Sequence, residues 1–167
     1  MSRTIIFLMM MFAAAPAQAE IISSSDDHYV LRQYATSDLS VDLLWAKLIE
    51  PSQWWHPDHT YSGDSKNLSL DLAAGGLWRE DWSGNSVYHG SVLSVIEGKM
   101  LRLDAPFGPL QGLAVSTVWT ISVKSEGDKT VVTFDEIANG TLISQLDEIA
   151  KAVDYVKSEA LSRLVAN

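Results

Sequence analysis

The sequence predicts an α+β domain: an antiparallel sheet of about seven strands, a short helix after the first strand, and one long C-terminal helix that covers the sheet. Three observations lead there. Apolar and polar residues alternate in short runs between residues 66 and 137, divided by Gly, Pro, Asp and Ser, which is the period of half-buried strands. After Asn139-Gly140 the period becomes that of a helix. A shorter stripe, Val41, Leu44, Trp45 and Leu48, falls at i, i+3, i+4 and i+7.

In chain order, residues 28–35 alternate and read as the first strand. Ser37, Asp38 and Ser40 offer side-chain oxygens to the free amides of the short helix, and Pro51 ends it by disfavouring helical geometry at Glu50. Residues 53–61 hold Trp54, Trp55 and Tyr61 around Pro57, so they read as a loop that must still bury its rings. Leu68, Leu70 and Leu72, then residues 77–82, form a hairpin expected to turn at Gly75-Gly76. Strands over residues 87–96, 100–105, 114–124 and 130–137 complete the meander. From Leu142 and Ile143 to Leu164 the apolar residues form one stripe, with Asp147–Lys151 and Glu159–Arg163 as i,i+4 pairs on its exposed side.

The chain has 167 residues, 21 acids against 12 bases, no cysteine, and a hydrophobic content of 47%. That is the composition of a folded domain. A net charge of −9 repels phosphate backbones and anionic lipid surfaces, so no nucleic-acid partner is expected. The missing cysteine excludes disulfides, thiol redox chemistry and thiolate metal sites.

The first residues read as a targeting segment. Arg3 precedes an apolar run, and Ala17-Gln18-Ala19 supplies the small-x-small pattern of a signal-peptidase site. The run ends at Pro16, short of the roughly 20 apolar residues a membrane span needs. The expected organisation is a signal peptide over 1–19, a flexible N-terminus over 20–27 and a single domain over 28–167, exported to the periplasm or secreted, with no membrane span in the mature protein.

Several strings, taken in order, resemble the SRPBCC (START-like) superfamily, in particular its branch similar to the activator of heat-shock-protein ATPase and to polyketide cyclase-dehydrases. They are Trp54-Trp55, Gly75-Gly76-Leu77-Trp78-Arg79-Glu80, Gly90-Ser91-Val92-Leu93, Met100-Leu101-Arg102-Leu103 and Gly127-Asp128-Lys129-Thr130-Val131-Val132-Thr133. The resemblance spans residues 28–165. It implies a helix-grip fold: a curved seven-stranded antiparallel sheet around the C-terminal helix, with a mostly apolar cavity between them. It implies no single reaction. The chaperone-activator role is not carried over to a chain expected to be exported and lacking a second domain.

Trp78, Glu80 and Trp82 alternate on one strand and share a face. Placed inward, Glu80 would lie between two indoles in an apolar site, where desolvation raises a carboxylate pKa. The candidate ligand-binding residues are Trp54, Trp55, Tyr61, Trp78, Glu80, Trp82, Tyr88, Phe107 and Trp119, since indole and phenol walls suit flat apolar guests. Core packing competes for all the aromatic ones and is the better reading for at least half of them. His56-Pro57-Asp58-His59 suggests a metal, but Pro57 breaks the helical geometry that lets two histidines share a face, so no metal and no cofactor is expected. His28 and His89 read as sheet-face residues. Residues 106–112, hinged by Gly and Pro around Phe107, read equally as a lid or a long turn. No nucleophile elbow, Walker or G-x-G-x-x-G string occurs. The expected partner is a lipid-, sterol- or polyketide-like small molecule; a cyclase or dehydratase using Glu80 as acid or base, or an interaction module with a filled core, are the alternatives.

Overall fold

The computed structural model describes residues 18–167. Residues 1–17 of the segment expected to be a signal peptide over 1–19 lie outside them. The sheet has eight antiparallel strands in the order β1-β2-β8-β7-β6-β5-β4-β3, one more than the sequence predicts. The strands are β1 (Gln18–Ser25), β2 (His28–Ser37), β3 (Leu68–Leu70), β4 (Leu77–Trp82), β5 (Asn85–Ile96), β6 (Met100–Asp104), β7 (Ser116–Glu126) and β8 (Lys129–Asn139). Helices α1 (Val41–Leu48), α2 (Pro109–Gly112) and α3 (Leu146–Val165) complete the fold. The result is an α+β, helix-grip-like layout with α3 on one face of a curved sheet.

The additional strand corrects the reading of residues 20–27 as a loose terminus. β1 pairs with β2 from Gln18↔Tyr34 to Ser25↔His28. All eight of its residues are exposed, so backbone hydrogen bonding holds it and no apolar alternation announces it. The turn after it is tied to the far end of the chain, because the Asp26 and Asp27 carbonyls accept from the amides of Leu146 and Gly140.

Three other expectations shift. The glycine pair is not a two-residue turn: β3 ends at Leu70, opposite Trp78. Instead the Gly75 amide donates to the Val92 carbonyl and Gly76 accepts from Val92, while a Cβ on Gly76 would lie 2.1 Å from the Asp71 carbonyl oxygen. The tight turn is at Ser83-Gly84, both at positive φ, between Trp82 and Asn85. The long helix starts at Leu146, after Gln145 in the left-handed region (φ 51°), so Leu142 and Ile143 are 72% and 88% exposed rather than part of the buried stripe. Neither i,i+4 pair forms as expected: Lys151 bonds Glu148, Glu159 bonds His59, and Arg163 donates to the Trp54 carbonyl.

α1 begins as its sequence demands, with the Ser40 side chain accepting from the Leu43 amide. The aromatic loop after it is three short 3-10 turns, Pro51–Gln53, Pro57–His59 and Ser65–Asn67. Trp54 and Trp55 are both buried, and each indole N–H finds a carbonyl, Leu48 and His59 respectively. Buried polar anchors fasten α3 to the sheet: Gln33 Nε2 donates to the Asp154 carbonyl and Ser158 Oγ, and Ser37 Oγ donates to the Val165 carbonyl. Lys47 Nζ donates to the carbonyls of Arg163 and Ala166, a cation at a helix C-terminus. Among the described residues no helix is long and apolar enough to cross a membrane.

Candidate functional site: a cavity under the C-terminal helix

The interior packs in two parts. One gathers around Trp54, Trp78, Trp119 and Phe134; the other around Tyr29, Leu31, Leu110, Ala138 and Leu146. Between them lies a cavity of about 280 Å³. Its walls are Trp55, His59 and Tyr61 from the aromatic loop, His89 from β5, Ala105 and residues 107–110 from the segment after β6, Glu136 from β8, and Ile149, Ala152, Val153, Val156 and Lys157 from α3. The lining is mostly apolar, with a few polar groups set into it, the arrangement of small-molecule sites.

Of the nine candidate residues, Trp55, Tyr61 and Phe107 line this cavity. Trp54, Trp78 and Trp119 are fully buried behind it, in edge-to-face and tilted contact with the wall: Trp78 lies 5.6 Å from Trp55 and 5.1 Å from Phe107 between ring centroids. Trp82 is half-buried near the β4–β5 turn and Tyr88 is 36% exposed, both outside the wall. Phe107, expected on a lid or turn, is half-buried against Trp55, Trp78, Trp119 and His89. Part of its segment folds into α2, which buries Leu110.

Glu80 does face inward, with no exposed side-chain surface, but its environment is not the one expected. Its Oε1 accepts from the Ser62 amide at 2.6 Å, and its Oε2 accepts from the Tyr61 amide at 3.1 Å and meets His89 Nε2 at 3.0 Å. Burial alone would raise its pKa; the hydrogen bonds from Ser62, Tyr61 and His89 outweigh it and hold the carboxyl below its ordinary value. The expected upward shift is therefore reversed. Glu80 is also absent from the cavity wall, and His89 stands between it and the space.

A β-bulge puts His89 there. Trp78 pairs with Gly90 and Arg79 with Tyr88, so His89 is the extra residue. His89 and Gly90 are consecutive buried positions in β5, where strict alternation would bury only one of them. Gly90 is required by close approach: a Cβ there would lie 2.5 Å from the Asp104 carbonyl oxygen. Burial lowers the His89 pKa more than the Glu80 hydrogen bond and charge raise it, so the neutral imidazole is favoured.

The sign of the resulting pH dependence follows from that shift. Stability from His89 is fully present above the ordinary value of 6.5 and is lost as pH falls through its lower folded value, because there the unfolded chain binds a proton the folded chain does not. Thermal melts are expected to show a fall in Tm across that window that His89→Phe removes. A fall of the same size in the variant would assign it to other groups.

A second polar group was not anticipated. Tyr29 donates from its hydroxyl to Glu136 Oε1 at 2.6 Å, and Lys157 Nζ contacts Glu136 Oε2. Lys157 Nζ also lies 3.7 Å from the centroid of the Trp119 ring, a cation–π geometry. All three residues are buried. Burial pushes the Lys157 amine well below its ordinary value, against the pull of the neighbouring carboxylate and indole face; burial also raises the Tyr29 phenol well above its ordinary value. At the mouth, His59 Nε2 meets Glu159 Oε2 at 2.7 Å, joining the aromatic loop to α3. That contact, chiefly, holds the Glu159 carboxyl below its ordinary value. His56 Nδ1 accepts from the Asp58 amide, and among the described residues no group of three or more His, Asp or Glu converges to hold a metal.

No family model matches the chain, and no curated protein matches it. Solved structures do share its fold. EF2215 of Enterococcus faecalis, a conserved protein of unknown function, superposes with a TM-score of 0.59 at 15% identity, over 89% of this chain and 74% of that one. The solution structure of CalU16 from Micromonospora echinospora gives 0.59 at 18% identity, over 93% and 75%. Ms6760 from Mycobacterium smegmatis gives 0.59 at 15% identity, over 89% and 94%. At such identities the likeness is one of fold: an antiparallel sheet gripping a C-terminal helix, shared by bacterial proteins of divergent sequence.

Proposed function

We propose that this chain is an exported binding protein that holds a hydrophobic small molecule, lipid-, sterol- or polyketide-like, in the cavity between sheet and C-terminal helix. The observation that carries the reading is the cavity itself, about 280 Å³ of mostly apolar space walled by aromatic rings on one side and by the aliphatic face of α3 on the other. Such a space is the default ligand site. The SRPBCC resemblance of the sequence and the helix-grip-like layout support the same reading, and an open cavity weighs against a module with a filled core. The acid–base alternative is favoured by one observation, the Glu80–His89 pair, with His89 rather than Glu80 at the wall.

Native mass spectrometry of the protein purified from an exporting host tests both parts. The expected species lacks residues 1–19 and carries an added non-covalent mass, and Val153→Trp, which fills the cavity from α3, is expected to abolish that added mass. A protein that is repeatedly recovered empty would count against the carrier, and a chain retaining residues 1–19 would count against export.

A further inference from the structure

We infer that the cavity recognises an apolar ligand through a hydroxyl group, which donates its hydrogen to Nδ1 of His89. The inference rests on the carrier reading above and names the chemistry of its ligand.

The argument begins with Glu80. Both of its oxygens accept hydrogen bonds, from two backbone amides and from the imidazole, and a carboxylate so held offers acceptors only. The imidazole nitrogen facing it, Nε2, must therefore carry the hydrogen. In a neutral ring that fixes the tautomer and leaves the lone pair on Nδ1. The side chain is 5% exposed and lines the cavity, and its Nδ1 has no hydrogen-bond partner among the described residues. Because the ring lines the cavity, that acceptor opens onto the space, and a ligand donor arriving there finds the lone pair free.

The surroundings select the kind of donor. His89 packs edge to face against Phe107 at 5.4 Å and tilts against Tyr61 at 5.9 Å between ring centroids, so a group meeting it arrives between aromatic surfaces. The one cation in the wall, Lys157, is already engaged by Glu136 and by the Trp119 face, so no free cation remains there to pair with a ligand anion. A neutral hydroxyl on a flat apolar body satisfies both conditions. Glu80 acts here as a positioning residue that sets the tautomer, and His89 is the group that touches the ligand.

Calorimetry with two near-isosteric probes, 1-naphthol and 1-methylnaphthalene, tests this. The readout is the ratio of their affinities, which removes the shared apolar contribution. The ratio in favour of 1-naphthol is expected to fall about tenfold on His89→Phe, the size of one net hydrogen bond, whatever that substitution does to the apolar contribution common to both probes. In the unaltered protein the same ratio is expected to collapse reversibly as acid protonates His89, which guards against a variant that fails to fold. Glu80→Gln, which frees the tautomer, is expected to reduce the ratio partially. If both probes bind and the ratio is indifferent to His89→Phe and to acid, the hydroxyl inference is overturned and the carrier stands. If neither probe binds the unaltered protein, the carrier reading falls with it.

Discussion

Replacing Lys157 with methionine is expected to destabilise the domain by about 3–5 kcal/mol, the typical loss when one member of a buried ion pair is removed. The lysine and its partner Glu136 have side chains only 5% and 2% exposed, so water cannot take the place of either. Left alone, Glu136 keeps one donor, the Tyr29 hydroxyl, and is expected to take up a proton instead of holding a buried charge. The variant should therefore be relatively more stable in mild acid than in alkali, since its folded state then binds a proton that the unfolded state releases as pH rises. The double variant Lys157→Met/Glu136→Gln should recover most of the loss, because a neutral amide still accepts from Tyr29 and methionine fills the space over Trp119. Chemical denaturation of both proteins at two pH values measures all of this. Equal stability of the single variant and the unaltered protein would show that the pair makes no net contribution.

Trp78→Ala is the other large effect, about 3–5 kcal/mol for removal of a buried indole. Trp78 is 1% exposed and its ring lies within 5.9 Å of Trp54, Trp55, Phe107 and Trp119 between centroids. No neighbour can swing into the void without abandoning its own partners, so the hole should persist and merge with the cavity behind Phe107. Calorimetry is then expected to find a less stable protein that accepts guests bulkier than the unaltered one does. Trp82→Ala, at a half-buried position on the same strand, is the control and should lose far less. A Trp78→Ala protein that loses no more than Trp82→Ala would mean that the aromatic cluster relaxes around the gap.

How much of this was legible depends on which physical signal each residue obeys. The predicted seven strands match β2 to β8 because their apolar faces are buried and alternate, as in the run Val132, Phe134 and Ala138. β1 carries no such signal, being exposed on both faces. Glu136 and Lys157 were legible and overlooked: Glu136 occupies the buried phase of that same run, and Lys157 falls on the α3 stripe between Val153 and Ala160. A charge in the apolar phase of two facing elements is a sequence sign of a buried pair. His89 was hidden by a bulge that breaks the period, and the one hint was a glycine, Gly90, inside the strand. The direction of the Glu80 shift was out of reach, since it depends on two amides of a loop some twenty positions upstream, and no periodicity encodes where a loop's N–H groups point.

The crowding of indoles in one half of the interior has an optical consequence. Trp54, Trp55, Trp78 and Trp119 lie within 6.2 Å of one another along a chain of centroid contacts, at interplanar angles from 30° to 79°. Chromophores that close and that skewed couple their transitions, so together they absorb circularly polarised light as one asymmetric unit. The domain thus carries a built-in reporter: a guest pressing on Trp55 and Phe107 would alter the dichroism of rings it never touches.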